Sequence, residues 1–158
     1  MANTRRISSC RCGVAPEEIN PCYSRHLQCK SNPVTWLYIA LGGALGSMSR
    51  HGIGLILARF ENFPLGTLTA NVLGSLVIGI AAGLWEVEQR KNPLPFFLMT
   101  GFCGGFTTFS TYSLQTLELI QKNDWPRAGI NMASSVVLCI ACTWLGWMLG
   151  QALKKNPA

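Results

Sequence analysis

Beyond residue 33 the chain runs through four long apolar stretches separated by three short polar gaps. A helix needs roughly 20 consecutive apolar residues to cross the hydrocarbon core of a bilayer. The stretches lie at about 34–58, 65–85, 95–121 and 126–153. Together they nearly exhaust the chain after its tail, so an all-α membrane protein with four transmembrane helices is the expected fold class. Composition agrees: 13% of the 158 residues are charged and 49% hydrophobic, against roughly 25% charge in soluble domains. The third stretch exceeds what a straight crossing requires, which leaves room for an interruption.

Residues 1–33 are expected to be a disordered N-terminal tail, or to lie upstream of the natural start, with 34–158 forming one transmembrane domain. The tail lacks the apolar core, roughly 7–15 residues long, of a cleaved signal peptide. A net charge of +6 does not point to nucleic acid, because Arg5, Arg6, Arg11, Arg25 and Lys30, five of the thirteen basic residues, sit in this tail without interleaved aromatics. Anionic lipid headgroups suit them better. Cys10, Cys12, Cys22 and Cys29 lack the paired spacing of a zinc site, while Cys103, Cys139 and Cys142 fall in apolar spans, where a thiol behaves as a small hydrophobe.

With four spans the termini share a side, so Arg90, Lys91, Lys154 and Lys155 oppose Arg59, Lys122 and Arg127. Four against three gives almost no orientation, and a chain without a strong topology signal can insert both ways and pair head to tail. Arg25 and Lys30 would raise the first group to six if the tail is native. Glycines recur four apart in every span: Gly42 and Gly46, Gly79 and Gly83, Gly101 and Gly105, Gly146 and Gly150. That spacing serves close helix packing in lipid. Four helices enclose little volume, which favours a pathway formed between two subunits.

Polar side chains in hydrocarbon are costly unless satisfied, so their positions mark faces turned inward or toward water. Thr67, Asn71 and Ser75 line one stripe of the second span, and Asn131, Ser135, Cys139 and Thr143 one stripe of the fourth. Interhelical bonds worth about 0.6 kcal/mol account for Ser75, Cys139 and Thr143. Asn71 and Asn131 are expected to be exposed or pore-facing, because an amide is hard to satisfy among leucines and glycines.

The run Gly101-Phe-Cys-Gly-Gly-Phe-Thr-Thr-Phe-Ser-Thr-Tyr-Ser113 is unlike an ordinary span: from Thr107 to Ser113 six of seven residues carry a hydroxyl. Gly104 and Gly105 followed by β-branched threonines predict a local break in the helix. Broken backbone at membrane depth is tolerated only where protein buries it or water reaches it, and the freed carbonyls are hard ligands suited to sodium. The hydroxyls suit a dehydrated anion instead, supplying donors without a fixed positive charge that would trap it. Phe109 and Tyr112, three apart on one face, either border such a path with their positive edges or pack as ordinary core. Arg50, the strong charge within a span, is assigned a supporting structural role, by snorkelling, by pairing with Glu118 or Glu86, or at a vestibule. His51 beside it reads as packing.

On Gly43-Ala-Leu-Gly-Ser47 with Arg50, Gly66-Thr67-Leu68 leading to Asn71, and the run Gly101 to Ser113, the chain resembles the Fluc family of fluoride channels, also called CrcB, from about residue 35 onward. The resemblance implies an antiparallel, dual-topology homodimer in the bacterial inner membrane, with two fluoride pores and passive export that lowers cytoplasmic fluoride. It implies a structural sodium ion at the dimer centre, held by backbone carbonyls of the broken third helix at Gly104 and Thr107. It assigns Phe109 and Tyr112 to the pore aromatics, Asn71 to the pore asparagine, and Thr67, Ser110, Thr111 and Ser113 to a polar track. Tyr112 departs from the family's usual phenylalanine and adds a hydroxyl. A rival class, the small dual-topology proton-coupled multidrug exporter, needs a carboxylate within the membrane, and here Glu118 lies near a helix end. A scaffold subunit leaves the hydroxyl run unexplained, and an enzyme lacks a nucleophile and base pair or a metal-ligand cluster.

Overall fold

The computed structural model describes residues 33–59, 63–85 and 93–155, and they are helical throughout with short connections and no strand among them. The helical class expected from the sequence is what is found. The tail expected for residues 1–33 lies outside the described residues except for Pro33.

Helix α1 covers Pro33–Ile56 and α2 covers Leu65–Leu84. Both begin at a proline, Pro33 as the first residue of α1 and Pro64 just before α2, where the missing N–H has no helical partner to lose. A third segment, α3, begins with Pro93–Pro95, widens into π-helical turns over Phe96–Cys103 and closes with Gly104–Phe106. The chain is then extended at Thr107 (φ −82°, ψ 155°) and Thr108 (φ −152°, ψ 118°). Helix α4 follows at Phe109–Gln121, with the Thr108 side chain capping its first turn by accepting from the Thr111 amide. A tight turn reverses the chain; Asn123 has a positive φ of 59°, a region asparagine tolerates. The Asp124 carboxylate then accepts from the Arg127 amide at 3.3 Å, and α5 runs over Trp125–Lys155.

Packing follows the glycine spacing. Helix α1 lies along α3, and α2 along α5. A Cβ added at Gly101 would sit 2.8 Å from the Ile39 carbonyl oxygen, and one at Gly105 would sit 2.5 Å from that of Gly43. Gly42 and Gly46 meet the Phe97 and Phe102 carbonyls in return. The second crossing repeats the device: Gly79 and Gly83 face the backbone at Thr143 and Trp147, while Gly146 and Gly150 face that at Leu76 and Ile80. Side chains at these eight positions would force the backbones apart, and lipid supplies no hydrophobic drive to hold them together.

The outer faces are apolar. Helix α5 has 31 residues, about 46 Å at the helical rise, and only 11% of its most apolar window is buried. A soluble core helix of that composition would be covered. Together with the exposed Trp36, Leu55, Val137, Ile140 and Trp144, this identifies a membrane protein.

Gly79→Val and Gly146→Val are each expected to destabilise the fold by about 3 kcal/mol, the upper end of overpacking costs, since the clash is with backbone rather than a yielding side chain. Gly129→Ala, whose Cβ would meet nothing within 4 Å, is expected to be neutral or stabilising. Unfolding titrations in detergent check both.

Candidate functional site

The site forms where the helix breaks. In an unbroken helix the Thr108 amide would donate to the Gly104 carbonyl and the Thr111 amide to that of Thr107. Neither does. The Thr108 amide donates to Asn71 Oδ1 at 2.7 Å, and the Thr111 amide donates to Thr108 Oγ1 at 3.2 Å. Asn71 completes a clamp by donating from Nδ2 to the Thr108 carbonyl at 3.1 Å. One carboxamide on α2 therefore bonds both backbone groups of Thr108, standing in for the helical acceptor of its amide, and the carbonyls of Gly104 and Thr107 are released from their helical donors. Gly104 is exposed. Carbonyl oxygens without helical donors are hard ligands of the kind a small hard cation takes.

A groove of about 440 Å³ runs beside the clamp, lined by Asn71, Thr107, Thr108, Phe109, Tyr112 and Ser135 among others. Asn71 has two amide protons and the clamp uses one, so the other is available to the groove. The Phe109 and Tyr112 rings pack with centroids 5.4 Å apart, tilted by 44°. Phe109 is nevertheless 79% exposed, so it is not part of this chain's packed core. One turn along α2 and α4, Thr67 and Thr111 line a second cavity of about 330 Å³ with Ser47, Arg50 and Gln115. Thr108 Oγ1 links the two by donating to Thr111 Oγ1 at 3.1 Å.

Of the residues selected from sequence, Asn71, Gly104, Thr107, Phe109 and Tyr112 meet at the groove, and Thr67, Thr111 and Arg50 at the neighbouring cavity. Ser110 is exposed, with its hydroxyl 3.2 Å from that of Thr108. Ser113 is exposed too, and donates to the Phe109 carbonyl of its own helix at 2.9 Å. Arg50 does not pair with Glu118; Glu86 lies outside the described residues. Asn131 departs from expectation: it is 2% exposed, and its Nδ2 donates to Thr116 Oγ1 at 2.8 Å. Thr116 in turn donates to the Tyr112 carbonyl at 2.8 Å, so Asn131 pins α5 to α4 instead of facing a path. Sequence reasoning missed Thr108, which read as one hydroxyl among six, and Gln115, whose signal is being a carboxamide one turn past Thr111.

Residues 37–147 match the family described as CrcB-like protein, Camphor Resistance (CrcB). A protein of Opitutus terrae is 52% identical over 125 residues, covering 76% of this chain and 95% of the relative. One of Paramagnetospirillum magneticum is 44% identical over 127 residues, covering 77% and 99%. Another, of Geobacter metallireducens, is 40% identical over 126 residues, covering 76% and 99%. The chain belongs to the CrcB-like family. All three relatives are named fluoride-specific ion channel FluC, and the matched span of the CrcB-like chain contains the clamp, the groove and the second cavity entire.

Asn71→Ala would leave the amide of Thr108, itself only 7% exposed, without an acceptor, at a cost of about 1–3 kcal/mol. The expected result is faster hydrogen exchange at the Thr108 amide, read by NMR in detergent micelles. Asn71→Asp keeps the acceptor and loses the donor, so it is expected to retain most of that protection.

Proposed function

We propose that this protein is a fluoride-selective channel that lets fluoride leave the cytoplasm passively. The observation that carries the reading is the Asn71 clamp, which opens the backbone between α3 and α4 beside a groove whose polar lining is hydroxyls and an amide. A small anion that gives up its water must find donors, and these supply them without a fixed charge to hold it. The names carried by its relatives agree.

In this reading α1, α2 and α5 each cross the membrane, and α3 with α4 forms one further crossing broken at Thr107 and Thr108, making a multi-pass protein of the bacterial inner membrane. Two copies pair antiparallel, which brings the exposed Phe109 and Ser110 of one against the other. Asn71, Thr67, Phe109, Tyr112, Ser110, Thr111 and Ser113 border the pore, and Arg50 supports its end. The carbonyls of Gly104 and Thr107 would hold sodium at the dimer centre, where a cation would offset the partial negative charge of the freed oxygens. Tyr112 keeps an aromatic edge in place and adds a hydroxyl donor. The proton-coupled exporter requires a carboxylate along the path. None lines the groove.

Protein in liposomes, with voltage clamped by a potassium ionophore, is expected to release fluoride and retain chloride; equal release of both ions removes the selectivity claim. Sodium is expected to raise the thermal unfolding midpoint by mass action while equimolar potassium does not. Identical midpoints in the two salts would remove the cation.

A further inference from the structure

Helix α4 starts after the extended pair Thr107 and Thr108, so α3 does not dictate its rotation about its own axis. The Asn71 clamp holds Thr108, at its first turn. A helix held at one end can still turn and tilt. Of the 13 residues of α4, Thr116 is the buried one, while Phe109, Leu114 and Leu117 stand exposed. Whatever fixes the setting of α4 beyond its start therefore acts at Thr116.

Asn131 meets it there. It is 2% exposed on α5, with the buried Ala128 and Ser135 three and four residues away on the same face. Its Nδ2 donates to Thr116 Oγ1 at 2.8 Å, and Thr116 passes the bond on by donating to the Tyr112 carbonyl at 2.8 Å. Thr116 lies about 12 Å along the helix axis from Thr108, and Tyr112 sits midway between these two attachments. Ser135 lines the groove with Phe109 and Tyr112, so the face of α5 that carries Asn131 continues into the groove wall.

We propose that Asn131 is a positioning residue: together with Asn71 it fixes the rotation of α4, and with it the angle at which the Tyr112 and Phe109 rings face the groove. The proposal rests on the channel reading above. A hydrogen bond is directional and an apolar contact is not. A leucine against a valine would fill the same space without selecting an angle.

The test compares N131L, T116V, the double variant and T116S, all near the native side-chain size, by fluoride flux in liposomes and by unfolding in detergent. A second readout is independent of transport. The chain has three tyrosines, so the fluorine NMR spectrum of fluorotyrosine-labelled protein in micelles resolves Tyr112 once Y112F assigns it. Fluoride flux is expected to fall about tenfold in N131L and in T116V, the factor that one buried hydrogen bond left unmade represents. The double variant is expected to be no slower than either single one, because both remove the same bond. Its unfolding midpoint is expected to match the wild type, since replacing both partners by apolar groups of the same shape is close to neutral. T116S keeps the hydroxyl and is expected to keep the wild-type flux. The Tyr112 signal is expected to shift or broaden in N131L, T116V and the double variant, and to stay in place in T116S. Loss of flux in N131L without loss in T116V, losses that multiply in the double variant, flux that tracks the unfolding midpoint, or an unmoved Tyr112 signal each overturns the positioning role and leaves a fluoride channel standing. Absence of fluoride flux in the wild type overturns the channel reading itself, and the positioning role with it.

Discussion

The fold turns on a single exchange of hydrogen bonds. A helix in a bilayer keeps its backbone groups paired within itself because lipid offers no substitute for water. At Thr108 that rule is met from outside the helix: the Asn71 carboxamide accepts from its amide at 2.7 Å and donates to its carbonyl at 3.1 Å. An asparagine is suited to this because one short side chain carries both a donor and an acceptor. A serine or threonine would satisfy one group at a time, and a longer amide would hold the partner less firmly through its extra torsion. The result is a break that leaves neither Thr108 group orphaned while releasing the carbonyls of Gly104 and Thr107.

That exchange works only if α2 is held at a fixed distance from the break, and the glycines provide it. Gly74 on α2 sits against the Thr107 side chain and the Phe106 ring, so the helix bearing Asn71 can approach the extended residues closely. On the far side α2 is pressed onto α5 through Gly79, Gly83, Gly146 and Gly150, and α3 onto α1 through Gly42, Gly46, Gly101 and Gly105. Two backbone-to-backbone crossings thus support one side-chain clamp between them. The π-helical turns at Phe96–Cys103 lie just before the break, a position where such turns often mark a functional site.

Much of this was legible in the sequence because it depends on local chemistry. The helix positions follow from apolar length, the close helix approaches from glycine spacing, and the extended pair Thr107 and Thr108 from Gly104 and Gly105 ahead of them. The class of residue at the groove followed as well, since hydroxyls inside an apolar run have few explanations. What escaped depends on partners distant in the chain. Asn131 and Asn71 look alike in sequence, each in a polar stripe, yet one is consumed by Thr116 and the other by the backbone of Thr108. Nothing local distinguishes them. Thr108 was likewise indistinct from its neighbours until its hydroxyl was seen to cap α4 and bond Thr111. The π-helical widening has no residue signature that separates it from an ordinary apolar helix.

The distribution of charge then distinguishes two kinds of transport. A carrier that exchanges protons must bury a titratable group along its route and bear the desolvation cost of charging it. Here the groove lining contains no Asp, Glu, Lys, Arg or His, and Arg50, His51, Glu118 and Lys122 line the adjoining cavities. Coulombic energies grow many-fold between water and a low-dielectric interior. A cation inside the groove would therefore bind an anion too tightly to release it, whereas the same cation at the rim raises the local anion concentration at small cost. In the proposed reading, neutral donors along the groove would let a small anion pass without being held.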